Sequence, residues 1–111
     1  MSYNPIPNPL PVTVTELAPA TATLGTPINA LSYATMRAQV DSLSGGDTIT
    51  FARSITTGGT TYPVVAQDDS GNLYPSGITA SGIYSVSARA WVTITHTGSA
   101  STPTITIMAN Q

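Results

Sequence analysis

Apolar and polar residues alternate along most of the chain after residue 30, and this period of two constrains the fold more than any other feature. In residues 34–41 the even positions hold Ala, Met, Ala and Val, and the odd positions hold Thr, Arg, Gln and Asp. Successive side chains of a strand point to opposite faces of a sheet, so the pattern predicts a half-buried β-strand. A helix capped by Asn29 and running to Val40 is the competing interpretation, because Ala, Leu, Met, Arg and Gln favour helices. We favour the strand, since the other segments are of β type.

Short segments rich in β-branched residues continue this pattern at intervals of roughly ten residues, separated by Gly, Ser, Asp and Pro. In residues 48–53 the pattern places Ile49 and Phe51 inward, and we expect Phe51 and Trp91, the only Phe and the only Trp, to pack in the core. The sequence therefore predicts an all-β fold, an antiparallel β-sandwich of jelly-roll, immunoglobulin-like or barrel-like type over residues 30–111. The predicted strands cover residues 12–17, 34–41, 48–53, 61–66, 82–88, 91–96 and 104–108.

Prolines occupy every second position from residue 5 to residue 11. Each proline restricts its own φ and pushes its predecessor toward an extended conformation, while the apolar residues between the prolines suit a groove. We interpret residues 1–29 as an extended arm that docks on a neighbouring subunit, with a small-residue linker over residues 18–29; a terminus without a docking site is the alternative. The arm residues expected to contact another subunit or a capsid are Tyr3, Pro5, Ile6, Pro7, Pro9, Leu10, Pro11, Val12 and Val14.

Charged residues make up only 7% of the chain, where about 25% is usual. Ser and Thr together account for 31 of the 111 residues and lysine is absent, so we expect a surface covered by hydroxyl groups. Such a surface has few ion pairs for salt to screen. The three arginines, Arg37, Arg53 and Arg89, cannot form the basic stripe that phosphate neutralisation requires, so nucleic acid is not an expected partner.

Cysteine is absent, which excludes disulfides and thiolate metal sites. The chain has no run of about 18 apolar residues, so we expect no membrane helix. The first residues lack the basic and apolar regions of a secretory signal. We therefore expect synthesis in the cytosol and release by lysis or as part of a particle.

The segment Asp68-Asp69-Ser70-Gly71-Asn72 concentrates the scarce negative charge and is the first candidate for an ion site. A helix-loop-helix calcium loop that began at Asp68 would need glycine at its sixth position and glutamate at its twelfth, where this chain has Leu73 and Thr79. Asp, Ser, Gly and Asn are instead the residues that close a tight turn. We interpret the segment as the tip of a β-hairpin.

Catalytic chemistry finds little support in the sequence. His96 is the single histidine that could activate a hydroxyl nucleophile, and its place at the end of a predicted strand favours a surface or packing role. A glycosidase would need two carboxylates in one cleft. We predict neither an enzyme nor a cofactor, and we interpret the four aspartates as solvated residues of turns and strand ends. The acidic residues are Glu16, in the predicted arm, and Asp41, Asp47, Asp68 and Asp69.

The aromatic residues leave one binding function open. Tyr62, Tyr74, Tyr84 and Trp91 could form a platform on a face of the sandwich that stacks on sugars, with exposed tyrosines near the loops around Tyr62 and Tyr74. The alternative is that these side chains build the core and its edges.

From about residue 31 onward the order of features resembles a β-sandwich module of tailed-bacteriophage virion proteins. The shared elements are the Thr-Phe-x-x-Ser stretch of residues 50–54, the Gly-Thr-Thr-Tyr stretch of residues 59–62 and the Gly-x-Tyr-x-Val strand of residues 82–86. An arginine-containing strand, a Gly-Ser turn and a Thr/Ile-rich last strand follow, and the Pro-Leu-Pro-Val-Thr-Val of residues 9–14 is similar to the lead-in of such proteins.

This resemblance implies a structural protein of a phage particle, a capsid decoration protein or a tail component, located in the virion after assembly in the host cytoplasm. The expected partners are further copies of the chain, most simply in a trimer, and the major capsid protein or other virion proteins. A carbohydrate- or receptor-binding module of a tail or fibre is the alternative function.

Overall fold

The computed structural model describes residues 16–110, and in this part of the chain every regular element is a β-strand. The fold is an all-β sandwich of two antiparallel sheets, as the alternating pattern predicts. The ten strands are β1 (Glu16–Thr21), β2 (Ile28–Asn29), β3 (Thr35–Asp41), β4 (Thr48–Ser54), β5 (Tyr62–Val64), β6 (Ala66–Asp68), β7 (Leu73–Tyr74), β8 (Gly82–Ser87), β9 (Trp91–Thr97) and β10 (Thr104–Asn110).

The strands divide into a larger and a smaller sheet. The larger sheet has six strands in the order β1-β10-β3-β8-β6-β7, and the smaller has four in the order β2-β9-β4-β5. Neighbouring strands in both sheets run antiparallel. The chain crosses from the smaller to the larger sheet at Val65, so the single strand predicted over residues 61–66 is in fact two short strands on different sheets.

Strand β3 lies inside the larger sheet, bonded to β10 on one side and to β8 on the other. Its side chains alternate between exposed and buried over all seven residues, with Met36, Ala38 and Val40 facing the core. The helical interpretation of this segment is therefore wrong. A helix has 3.6 residues per turn and would not place these three side chains on one face, whereas a strand does.

The core fills the space between the two sheets. The larger sheet contributes inward residues such as Met36 and Ile105, and the smaller sheet contributes Ile49, Phe51 and Ile94. Both inward positions predicted for β4 are occupied as expected, with Ile49 fully buried and Phe51 3% exposed.

Trp91 does not take the central place that its size suggested. Its neighbours in β9, Val92 and Ile94, are fully buried, and Trp91 itself is only partly buried. Because adjacent side chains of a strand point to opposite faces, the inward position of Val92 turns Trp91 outward. The expectation that Trp91 packs in the core is therefore corrected.

The predicted linker over residues 18–29 includes most of β1 and all of β2. Strand β1 pairs with β10 at one edge of the larger sheet, and β2 pairs with β9 at an edge of the smaller sheet. The linker interpretation is wrong for these strands. Backbone pairing with β10 and β9 forms them, although their residue types do not predict a strand. Pro19 lacks a backbone donor and is tolerated at an edge, where the pairing register shifts between Leu17 and Ala20.

Shortening a core side chain tests the sandwich packing. Ile94→Ala should lower the free energy of unfolding by about 2–5 kcal/mol, since the substitution removes buried carbon atoms and leaves a cavity. Thr95→Ala, at the next position of β9 and exposed, is the matched control and should cost less than about 1 kcal/mol. Chemical denaturation followed by fluorescence or circular dichroism measures both. Equal losses would contradict the inward assignment of Ile94.

Candidate functional site: the two ends of the sandwich

Strand β4 spans the sandwich from one end to the other and places different polar groups at each. Asp47 precedes the strand and Arg53 lies near its end. Both have the same parity as Ile49 and Phe51, so both are directed toward the interior between the sheets. We call the end around Asp47, with His96, Ala100 and Ser101, the closed end. We call the end around Arg53, with Tyr62 and Arg89, the open end.

At the closed end Asp47 is buried, with only 1% of its surface exposed. The expectation of a solvated turn residue is therefore wrong for this aspartate. Its carboxylate accepts hydrogen bonds from the backbone N–H groups of Ala100 (3.0 Å) and Ser101 (2.8 Å), from the Ser101 hydroxyl (2.6 Å) and from His96 Nε2 (2.9 Å). These four bonds compensate the carboxylate for the water it loses on burial.

The same bonds hold the pKa of the Asp47 carboxyl well below its usual range. The Ser101 hydroxyl is the largest cause, followed by His96 and the backbone N–H of Ala100. Each of these donors favours the ionised form. Since an ionised carboxylate only accepts hydrogen bonds, Nε2 of His96 carries a proton and donates it.

Serine, histidine and aspartate therefore meet here, but not in the order that nucleophilic catalysis needs. Activation of a serine requires its hydroxyl to donate to histidine, with the aspartate behind the ring. Here the Ser101 hydroxyl and His96 both donate to Asp47. The cluster holds the β9–β10 loop against the start of β4. Gly98 packs against this cluster. Glycine is required there for two reasons: its φ is +113°, and a Cβ would overlap the Asp47 carboxylate.

A sequence signal for this cluster exists. Asp47 continues the inward parity of Ile49 and Phe51, and His96 continues the inward parity of Val92 and Ile94. An acid and a histidine that both face inward at the same end of two paired strands are expected to meet. The interpretation of all four aspartates as turn residues missed that Asp47 and His96 both face inward at the same end of paired strands.

The Asp68–Asn72 segment closes a hairpin between β6 and β7, as the turn chemistry predicts. The backbone N–H of Asp68 donates to the Asn72 carbonyl oxygen, and Gly71 turns the chain with φ at +91°. The Asp68 carboxylate accepts from Ser70 N, Asn72 N, Asn72 Nδ2 and the Tyr74 hydroxyl (2.7 Å). These donors, with Tyr74 first, lower the pKa of Asp68 to about 2.

The neighbouring Asp69 forms an exposed ion pair with Arg37 at 2.8 Å. Both carboxylates of the hairpin are therefore engaged by groups of the protein itself. Among the side chains that the structure describes, no three His, Asp or Glu residues cluster as a metal site would require.

The four aromatic residues considered as a platform do not share a face. Tyr84 is buried and packs edge-to-face on Tyr74, with ring centroids 5.4 Å apart. Tyr74 is further committed through its hydroxyl bond to Asp68. Trp91 lies on the outer side of the smaller sheet. Tyr62, 67% exposed, is the member of the set that offers a free ring.

The open end contains a cleft of about 530 Å³. Arg53 and Tyr62 are opposite each other in the β4–β5 register, and Arg89 lies across the cleft in the β8–β9 loop. Thr56 and Thr60 add hydroxyl groups, and Ile55 adds an exposed apolar side chain. Two of the three arginines of the chain therefore line one cleft.

Neither arginine of the cleft forms an ion pair with a carboxylate among the described side chains. Arg53 donates from Nη1 to the Ala88 carbonyl oxygen at 3.1 Å, and Arg89 donates from Nη1 to the Ser32 carbonyl oxygen at 3.5 Å. A guanidinium has five N–H donors, so most donors of both groups stay available.

Arg89 also has a strained backbone, with φ at +60°. Its N–H donates to the Tyr33 carbonyl oxygen at 2.7 Å, and the N–H of Ala88 donates to the Ala34 carbonyl oxygen at 2.9 Å, so the β2–β3 loop holds this conformation. A residue with a Cβ costs roughly 1–2 kcal/mol in the left-handed region. Arg89 therefore carries a conformational cost that Gly or Asn at this position would reduce.

The arm residues expected to make contacts, from Tyr3 to Val14, lie outside the described residues. Comparison with protein-family models, with curated proteins and with solved structures finds no match for this chain. In the part of the chain that the structure describes, no helix is long and apolar enough to cross a membrane.

Asp47→Asn tests the closed end. An amide accepts hydrogen bonds through one oxygen only and turns its own N–H groups toward other donors, so the Tm should fall by about 5 °C or more. Because folding lowers the pKa of Asp47, its contribution is complete above the ordinary value of 3.8 and is lost as pH falls through the lower folded value. The decline of Tm between pH 5 and pH 2 should therefore be shallower in the variant.

Asp41→Asn is the matched control for this change. Asp41 is exposed at the end of β3 and accepts a hydrogen bond from the Gln39 amide. Its replacement should leave the Tm at neutral pH nearly unchanged. A Tm for Asp47→Asn as high as that of the control would contradict the role given to the closed end.

Arg89→Asn tests the strain at the open end. Asparagine tolerates positive φ better than arginine, so the free energy of unfolding should stay equal or rise by up to about 1 kcal/mol. Arg89→Val should lower it, because a β-branched residue is the least suited to this region. Urea denaturation distinguishes the two. A lower stability for the asparagine variant than for the valine variant would rule out strain at this position.

Proposed function

We propose that this chain is a non-enzymatic structural protein of a phage particle, a capsid decoration protein that binds and stabilises the shell as an oligomer through its N-terminal arm. The observation that carries the proposal is the position of β1. This strand begins five residues after the last of the alternating prolines and lies at the edge of the larger sheet. The segment that we expect to reach a neighbour therefore joins the body at an exposed edge and not inside a sheet.

The edge position suits assembly for a physical reason. Among the described strands, β1 pairs only with β10, so the opposite side of β1 offers backbone groups to another chain. Residues such as Ile6 and Leu10 would add apolar contacts on the neighbouring subunit. A closed cyclic oligomer, most simply a trimer, would let every arm find such a site.

The outer side of the smaller sheet and the closed end support a role in contact and not in chemistry. Threonines pair across β4 and β9, with Thr48 opposite Thr97 and Thr50 opposite Thr95, and give the smaller sheet a hydroxyl-covered outer side. The acid and the histidine that could serve catalysis are occupied in holding the closed end together. Many copies on a capsid would add their modest individual affinities through avidity.

A second function, glycan or receptor binding, is favoured by the exposed ring of Tyr62 beside the open-end cleft. Tyr74, the other tyrosine considered for this role, is tied to Asp68 and Tyr84. A glycan-binding loss in Tyr62→Ala, with binding kept in Tyr74→Phe, would favour this function over a purely structural one.

Deleting residues 2–15 tests the proposed function. The full chain should be an oligomer by light scattering, and the deleted form should be a monomer with the same β-type circular dichroism spectrum. The double variant Ile6→Ser with Leu10→Ser should shift the mass in the same direction, because it removes the apolar contacts and keeps the prolines.

Asn4→Ser with Asn8→Ser is the matched control, with two changes in the same segment and no loss of apolar surface. It should keep the mass of the full chain. A monomeric full chain, or an oligomer unchanged by the deletion, would refute assembly through the arm.

A further inference from the structure

We propose that the open-end cleft, lined by Arg53, Arg89 and Tyr62, binds the carboxylate of an acidic glycan. This inference goes beyond the proposed structural function and does not depend on it, because no residue of the arm takes part. It identifies a ligand class, a sugar that carries a uronic or sialic acid carboxylate.

The charges of the cleft point to an anion. The chain has a formal net charge of −2, yet two of its three arginines line this one cleft. The third, Arg37, is paired with Asp69. Asp47 lies at the opposite end of the sandwich, as does Asp41, which ends β3 at the end remote from Ser87 and Arg89. The Asp68 carboxylate is bonded within its own hairpin. The described structure therefore leaves a local excess of positive charge that a ligand carboxylate would neutralise.

Contacts within the protein position both arginines before any ligand binds. The bond from Arg53 to the Ala88 carbonyl oxygen fixes one guanidinium edge and leaves other N–H groups for a ligand. Arg89 is kept at positive φ by the β2–β3 loop, where other residues would cost less. Strained backbone that is held by its surroundings is a feature of ligand sites.

The remaining lining favours a sugar over a peptide. Tyr62 presents an exposed ring next to Arg53, a surface on which the apolar face of a sugar can stack, and Thr56 and Thr60 offer hydroxyls to its polar groups. A peptide would bind by adding a strand to the edge strand β5, but Pro63 removes a donor from that short edge. The cleft volume of about 530 Å³ falls in the usual range for small-ligand sites.

Calorimetric titration of the full chain tests the proposal with two pairs of probes. Trigalacturonate is compared with its methyl ester, and sialyllactose is compared with lactose. At least one acid should bind, and its neutral counterpart should bind about tenfold more weakly or worse, since it lacks the charge-assisted hydrogen bonds. Raising the salt concentration should weaken binding of the acid.

Arg89→Asn should weaken binding of that acid by about tenfold or more while the variant stays folded. Arg37→Asn, which removes the same charge from the outer face of the larger sheet, is the matched control and should bind like the original chain. The form lacking residues 2–15 should also bind unchanged, which separates this test from that of assembly.

Three results would overturn the proposal. The first is no binding of either acidic glycan, and the second is equal loss in Arg89→Asn and Arg37→Asn, which would indicate net charge and not a site. The third is tighter binding of a hexa-aspartate peptide than of both glycans, which would assign the cleft to acidic peptides.

Discussion

Burial of inward-facing aliphatic side chains between two sheets is the interaction on which the rest of this structure depends. The chain has only eight charged residues, so ion pairs can contribute little to its stability. Ile49 and Ile94 from the smaller sheet pack with Met36 and Ile105 from the larger sheet in one core cluster. Removing this apolar surface from water is the main favourable term, and the same alternation places the threonines of β4 and β9 on the outer side of the smaller sheet.

A sandwich of two sheets has two ends that the sheets do not cover, and in this protein the two ends differ in their polar groups. At the closed end the Asp47 carboxylate is satisfied by donors from β9 and the β9–β10 loop, so a buried charge holds two loops together. At the open end Arg53 takes the equivalent inward position, but its guanidinium has one carbonyl partner among the described residues. The closed end stabilises the body, and at the open end each guanidinium has one carbonyl partner among the described residues. A body with one closed end and one end that leaves guanidinium donors available is compatible with both the structural role and the glycan site that we propose.

The interior strands could be predicted from sequence because their side chains carry the signal. The alternation in β3, β4 and β9 places the apolar residues on one face, and the structure buries those residues. Strands β1 and β2 could not be predicted in this way. Their pairing depends on backbone bonds to strands far along the chain, and residues such as Ala18, Pro19 and Ala20 give no periodic pattern.

The sites show the same division between local and long-range information. The hairpin at Asp68 was predictable, because turn chemistry is local. The bonds between Asp47 and Ser101 join residues 54 positions apart, and the cleft brings together Arg53 from β4 and Arg89 from the β8–β9 loop. Positive φ at Arg89 has no sequence signal, since arginine is an unusual residue in this conformation.

We propose that the sandwich body assembles through the segment that precedes β1, and hydrogen exchange of the assembled full chain can confirm or refute this docking. Peptides that cover residues 3–15 should exchange slowly, and the amides of β1 should exchange more slowly than in the form lacking residues 2–15, because docking against a neighbouring subunit excludes water. If residues 3–15 exchange at the rate of an unstructured peptide, at concentrations where the chain is assembled, the arm does not dock on a neighbouring subunit.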